Sequence, residues 1–401
     1  MMRRVVLLVL LVLFAGCTPP QPPVQPKQAE RPVSPERIEP KAAPAFTDDL
    51  PAEGLKHAIQ QSLSYYGRVP GDRLFSFGDR RISAKLLKES MDTFLMLMDS
   101  GRLDPASLSE FFDIYRVPCG NEGEACLVTG YFEPVLDGRL EPAGEFRWPL
   151  YGMPPDLVTV DLEAFDPKKF PGEHLTGRIE KGRVVPYYTR AEIDGRSKLR
   201  SSGCELVWLK DPVDAFFLHV QGSGLIKLGA GAERRIGYAG ANGRPYRSIG
   251  KFFLDRNIFS RDEVSLRAIR DYLRAHPEER DAIMWENESY VFFKWVKEGP
   301  MGSLDARLTE GRSIATDAKY HPRGALAFLA TEKPRLDEAG YVLGWEPLTR
   351  WVLNQDAGGA IKGPCRVDLF CGTGDDAEAA ASPMKQPGQL YYLIRKGGLE
   401  Q

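Results

Sequence analysis

The chain has 401 residues and a formal charge of −2, a length that allows a globular part of about two domains. So even a charge balance excludes a dedicated nucleic-acid binder, which needs a basic face to neutralise phosphates. The five histidines are scattered, and neither a CxxC nor an HExxH motif occurs, so no metal site is expected and no cofactor is implied.

The first residues read as an export segment. Met1, Met2, Arg3 and Arg4 form a basic leader, and residues 5–15 are an apolar run too short for a permanent membrane span. The run closes on Leu13-Phe14-Ala15-Gly16-Cys17, which resembles the bacterial lipobox, where small residues precede a cysteine that is lipidated and becomes the mature amino terminus. An ordinary secretory signal with a chance cysteine is the plainer alternative. Three acyl chains on Cys17 would anchor stably, whereas one would hold marginally. Thr18 stands where an aspartate would mark retention at the inner membrane. The expected location is therefore the outer membrane, facing the periplasm.

Residues 18–46 are rich in Pro, Gln, Glu and Lys and nearly empty of side chains to bury. Such composition gives an extended spacer rising about 3.1 Å per residue where the polyproline form holds. A tether of this kind suits a catalyst whose insoluble target lies off the bilayer. Beyond Cys17 the cysteines are Cys119, Cys126, Cys204, Cys365 and Cys371. Export permits disulfides, and Cys119–Cys126 is a plausible local closure. Cys365 and Cys371 share one strand segment and pair only if it bends sharply. The odd number leaves one thiol free or shared between chains.

Residues 55–66 and 83–98 carry apolar positions at three- and four-residue spacing and are predicted helices, with a shorter helical segment over 108–115. At 127–134 the pattern turns to strand, and Thr129, Tyr131 and Glu133 share a face. From 134 to about 262 the chain is rich in strands and turns. Residues 205–212 and 214–224 read as strands meeting at Asp211-Pro212, the second ending in Gln221-Gly222-Ser223-Gly224, whose backbone can approach a ligand. Asn242-Gly243 is a hairpin signal, and Tyr238, Tyr246 and Arg247 near it either bind sugars or acidic groups or pack the hairpin. An amphipathic helix is expected over 261–276, starting at Asp262 and ended by Pro277. Residues 287–295 form an aromatic strand, 299–317 a turn and a β-rich run, and 326–329, 349–353 and 389–395 further strands.

The stretch 354–377, NQDAGGAIKGPCRVDLFCGTGDDA, sets aspartates on a glycine-rich frame. Residues 366–370 are strand-like and end at Gly372 and Gly374, so Asp368 lies within a strand among apolar neighbours, while Asp375 and Asp376 belong in a turn. A half-exposed strand with Arg366 and Asp368 on its polar face is one reading. The other is a carboxyl held in a partly apolar groove with a raised pKa, suited to general acid work.

These segments in order, namely VTGYFEP (128–134), VQGSG (220–224), YAGANGRPYRSIG (238–250), NESYVFF (287–293), GPMGSLDARLTEGRSIATD (299–317) and DAGGAIKGPCRVDLFCGTGDDA (356–377), resemble the membrane-bound lytic murein transglycosylase A family. The likeness runs from about residue 50 to the carboxy terminus, and its last part is similar to the 3D domain, whose three aspartates match Asp356, Asp368 and Asp375. Cys371 stands where relatives often carry a bulkier residue. The resemblance implies a mainly β chain with flanking helices: a double-psi β-barrel domain over 47–132 plus 262–398, with the 3D motif at 351–396, a smaller β-barrel inserted over 133–261, and a groove between them.

It also implies the substrate. Peptidoglycan strands alternate β-1,4-linked N-acetylglucosamine and N-acetylmuramic acid, and a lytic transglycosylase lets the muramic C6 hydroxyl attack, closing a 1,6-anhydro ring. One carboxyl then serves as acid and base, provided its pKa stands well above the roughly 3.9 of a free aspartate. Asp368 is the expected acid/base and Asp356 its neighbour, adding like-charge repulsion. Thr129, Tyr131, Gln221, Gly222 and Ser223 match positions that line the sugar groove, with Gly224, Lys362 and Asp375 added as substrate-binding candidates. Partners expected besides glycan strands and the outer membrane are cell-wall synthesis or divisome proteins. The rival readings are a non-catalytic peptidoglycan-binding lipoprotein, and a water-using hydrolase with Glu133 or Asp356 as second carboxylate.

Overall fold

The computed structural model describes residues 34–119, 125–170, 172–261 and 263–397. The export leader, Cys17, most of the spacer and Asp262 lie outside these residues. No helix among the described residues is long and apolar enough to cross a membrane.

Helical spacing holds where it was clearest. Ala52–Tyr66 buries Leu55, Ala58, Ile59 and Ser62 along one face. Ala84–Asp99 starts on Ser83, whose hydroxyl accepts the Leu86 N–H and so satisfies an amide that the first turn leaves over. The buried stripe of Leu87, Met91, Phe94 and Leu97 follows, and both helices share one core with the main sheet.

That sheet closes on itself. Its strands run in the order Lys385–Arg395, Leu326–Leu336, Val342–Asp356, Ser313–Ala315, Arg366–Thr373 and Cys126–Glu133, and the last pairs again with Lys385–Arg395. Closing the ring leaves these six strands with no open edge between them. Arg366–Thr373 lies parallel to Cys126–Glu133, with Asp368 opposite Thr129. Trp351, Phe328, Leu369 and Val128 belong to the core that the sheet shares with the helices, with Phe94 edge-on to Trp351 at 4.8 Å and Phe46 stacked on it at 5.2 Å. Arg312 grips both oxygens of Asp48 at 2.9 and 2.7 Å, and Arg350 grips Asp49 at 2.8 and 2.7 Å, fixing the chain's entry onto the barrel.

A second six-stranded sheet has the order Val291–Val296, Ala232–Ala241, Gly224–Gly229, Val135–Arg139, Glu205–Leu209 and Trp148–Tyr151. Its apolar face, with Leu150, Val207, Ile226, Ile236 and Phe293, packs on Ala215 and Leu218 of a helix. The sheet thus takes a strand from beyond residue 261, because the aromatic run at 291–296 pairs along Ala232–Ala241. The chain is mainly β with flanking helices, as expected.

Several local expectations fail, each for a physical reason. Residues 212–221 form a helix, not a strand: Asp211 caps it by accepting the Val213 N–H, Pro212 occupies the first turn, and Gly222 ends it at φ +82°. An apolar run buried on all sides does not betray its period. Asn242-Gly243 makes no hairpin. Asn242 is fully buried, donates to the Tyr188 and Glu288 carbonyls, and accepts from the Arg244 and Tyr290 amides. The helix expected over 108–115 is Pro105–Phe111, capped by Asp104, and Phe112–Arg116 is already strand. The helix expected from Asp262 starts at Leu266, where Ser265 caps it, and Pro277 opens a further helix instead of only ending that one. Of the β-rich run at 299–317, only Ser313–Ala315 is strand. Asp375 and Asp376 begin the short helix Asp375–Ala381 instead of a turn. The sulfurs of Cys119 and Cys126 are buried and face each other at 2.7 Å.

Candidate active site

Strand register builds the site. Thr129 and Asp368 are partners in the parallel pair, so their side chains leave the sheet together, and Thr129 Oγ1 donates to Asp368 Oδ1 at 2.8 Å. Val367 and Leu369 on either side are buried, while Asp368 keeps part of its surface open. Burial pushes its carboxyl up to about 6; the Thr129 bond and the Arg366 charge work against this, and the charge of Asp356 adds to it. Arg366 turns its Nη2 to Thr129 Oγ1 at 3.4 Å. Asp368 has no ion pair among the described residues.

Asp356 ends the strand Val342–Asp356. Its Oδ1 accepts the Ser303 and Ala357 amides, both at 2.8 Å, and its Oδ2 accepts the Tyr131 hydroxyl at 2.9 Å. Burial still raises its carboxyl, despite those bonds and the charge of Arg323. Burial, and then the charge of Asp356, hold the Tyr131 phenol well above its ordinary range, so it stays a donor. The ring of Tyr131 packs 5.3 Å from Phe370.

From the second sheet comes the loop after the helix Pro212–Gln221. Gln221 Oε1 accepts the Phe132 N–H at 3.2 Å, which ties the loop to the Thr129 strand. Gly222 supplies the left-handed turn, and Ser223 and Gly224 follow, partly exposed and buried respectively. Arg270 holds the helix from behind, donating to Asp214 at 2.9 Å and to Glu378 of Asp375–Ala381. That short helix lies against the strand pair of Thr129 and Asp368: a Cβ on Gly130 would sit 2.7 Å from Ala381 Cα.

Two candidates stand apart. Lys362 is exposed in the loop before the Asp368 strand, and Asp375 is exposed at the start of its helix; neither makes an ion pair among the described residues. The loop bearing Lys362 is itself fixed, since Asp317 accepts the Gly363 amide at 2.9 Å and His321 Nε2 meets the Pro364 carbonyl at 2.9 Å. Glu133 is fully buried; Arg235 Nε donates to both its oxygens at 3.3 Å and Thr373 Oγ1 to one at 2.8 Å. It is in no position to activate a water. The Ser303 amide was not singled out in the sequence, and Arg366 was read only as a companion of Asp368 on a polar strand face. Arg366 lies two residues before Asp368, the spacing that puts strand neighbours on one face, but nothing in the sequence marks an amide 53 residues from its acceptor. Burial raises the Tyr246 phenol, against its Ser248 hydrogen bond and the charges of Arg190 and Arg366, while the charge of Asp368 adds to the rise.

The arrangement is a single accessible, raised carboxyl with a second carboxylate fully engaged nearby and hydroxyl and amide donors around both. The MltA specific insert domain matches residues 127–294, and the 3D domain matches residues 312–394. The chain belongs to the membrane-bound lytic murein transglycosylase A family. Membrane-bound lytic murein transglycosylase A of Vibrio cholerae is 29% identical over 397 residues, covering 98% of this chain and 95% of that protein. A membrane-bound lytic murein transglycosylase from Agrobacterium tumefaciens has the same fold, with a TM-score of 0.75 and 28% identity over 90% of this chain and 98% of its own. The E. coli MltA crystal structure with bound chitohexaose aligns with a TM-score of 0.67 and 25% identity, over 90% of this chain and 94% of its own. The 3D match of this transglycosylase A family member spans Asp356 and Asp368, and the insert match spans Thr129, Tyr131 and residues 221–224.

Proposed function

We propose that this chain is a lytic transglycosylase that cleaves the β-1,4 bond between N-acetylmuramic acid and N-acetylglucosamine in peptidoglycan, with Asp368 as its acid and base. The observation that carries the reading is the Asp368 carboxyl itself: partly accessible, without an ion pair among the described residues, and raised to about 6. Protonated, it gives its proton to the glycosidic oxygen as the bond to the anomeric carbon breaks. The resulting carboxylate then takes the proton of the C6 hydroxyl, whose oxygen closes the 1,6-anhydro ring. No water enters, so no second carboxylate is required, and Glu133 and Asp356, both fully hydrogen-bonded, are free of that role. Asp356 instead fixes Tyr131 and adds negative charge beside Asp368. Thr129, Tyr131 and Gln221 to Gly224 form the walls facing the glycan; that a glycan is bound at all is supported by the chitohexaose held in the E. coli relative. Lys362 and Asp375, both exposed, serve at the groove's margin.

The barrel acts as a double-psi domain interrupted by the insert, which leaves after residue 132 and returns past Val296, where the last strand of the second sheet ends. Lipidation of Cys17 holds the enzyme at the outer membrane, and residues 18–46 carry it to the wall, within reach of cell-wall synthesis or divisome proteins; Cys17→Ser is expected to move it to the soluble fraction.

Digestion of purified sacculi followed by mass spectrometry tests the proposal. Anhydro-muropeptides are expected; reducing ends would show water as the attacking group, and no cleavage would leave a binding lipoprotein.

A further inference from the structure

A cavity of about 210 Å³ lies in the second sheet's part of the chain, and none of the residues that line it belongs to the Asp368 site. Its walls come from the strand Trp148–Tyr151, the helix Pro212–Gln221, the helix Pro277–Trp285 and the π-helical turn Ala191–Gly195.

The lining has three notable properties. First, it is aromatic: Trp148, Trp285 and Tyr290 all face it. Second, its charges pair off. Arg190, only 2% exposed, reaches Asp194 at 3.6 Å and spends its other donors on the Asn287 and Ser289 carbonyls, while Asp281 pairs with Arg280 at 2.8 Å. Third, it holds an unspent donor. His219, 7% exposed, accepts the Val291 N–H at Nδ1, which leaves the ring proton on Nε2, and Nε2 has no partner among the described residues. Burial, and then Arg190, keep this ring neutral.

A site without net charge disfavours an ionic ligand. Aromatic faces, carboxylate acceptors and one N–H donor match a ring with apolar faces and a polar rim. The volume falls below the roughly 300–1,000 Å³ of pockets for drug-sized ligands, so it admits one ring and its substituents. We infer that this cavity is a second saccharide site, which takes a single uncharged pyranose of the N-acetylglucosamine type. Trp148 and Trp285 stack the ring, the Asp194 and Asp281 carboxylates accept its hydroxyls, and His219 Nε2 donates to it. The choice of an acetamido sugar rests on the peptidoglycan reading; the site's neutral, aromatic character does not. Such a site grips a glycan strand away from the bond being cut and keeps the enzyme on an insoluble substrate.

The test is an NMR titration of the full chain in detergent with N-acetylglucosamine, following the tryptophan indole N–H signals. Trp148→Phe and Trp285→Phe assign the two resonances of the cavity. Saturable shifts of those two signals are expected, weakened at least fivefold in Asp281→Asn, while the release of anhydro products from short soluble glycans by Asp281→Asn stays at the wild-type rate. Unmoved Trp148 and Trp285 signals, or shifts that Asp281→Asn leaves as strong, would overturn the site. A chain that releases anhydro products but shows no such shifts loses the second site alone. One that shows them without cleaving keeps the site and loses the lytic reading.

Discussion

Thr129 donates its hydroxyl to Asp368 at 2.8 Å across a parallel strand pair in which the two residues stand opposite each other. That hydroxyl favours the ionised carboxylate, against the burial that raises it. Thr129→Val keeps the branched shape and deletes the donor, so Asp368 is expected to titrate higher still, by roughly one unit for a hydrogen bond of this class. The acid must be protonated to act, so kcat/KM falls on the basic side as Asp368 ionises, and in Thr129→Val that fall moves to higher pH. Paired pH–rate profiles check this; a limb that stays in place would separate Thr129 from the titration.

Asp356 acts in the opposite direction. Its charge raises Asp368, so Asp356→Asn is expected to draw the basic limb to lower pH. Turnover also slows, because an amide in place of Oδ2 no longer accepts the Tyr131 hydroxyl. The same profiles measure both effects, and an unchanged limb would count against the coupling.

Stability should move with the same carboxyl. Folding raises Asp368 from 3.8 to about 6, so its contribution is fully present below about pH 4 and is lost as pH rises through about 6. Asp368→Asn removes that loss. The variant is expected to be more stable than the wild type at pH 8, by about 1–3 kcal/mol, with the gap closing toward pH 4. Denaturant unfolding at the two pH values reads it directly, and a gap independent of pH would be inconsistent with a raised Asp368.

The central strand was legible because its signals are local. A short apolar run before Gly372 and Gly374 reads as a strand over 366–370, the strand found runs on to Thr373, and an aspartate within such a run is unusual. The helix Pro212–Gln221 carried an equally local sign, Asp211 before Pro212, but its apolar sequence fits either period. Asn242-Gly243 shows local chemistry overruled, since three hydrogen bonds to distant backbone turn a hairpin signal into a buried junction. What could not be read were contacts made only by folding: Ser303 on Asp356, Arg235 on Glu133, and the cavity around His219.

Gly130 separates Thr129 from Tyr131 and leaves no room above it. Gly130→Ala would set a methyl 2.7 Å from the Ala381 backbone, so the helix Asp375–Ala381 must move or the strand must bend. A loss of about 1–3 kcal/mol is expected, with activity reduced at a temperature where the variant is still folded. Thermal unfolding and sacculus turnover check the pair of effects; wild-type stability would mean that the helix yields freely.

The most direct test is the protonation of one carboxyl. Carbon-13 NMR of labelled aspartate carboxyls, with Asp368 assigned by comparison with Asp368→Asn, follows its titration in the intact chain. A midpoint near 6 is expected. A midpoint at or below the ordinary 3.8 of an aspartate would leave Asp368 ionised at working pH, without the proton that the leaving oxygen requires.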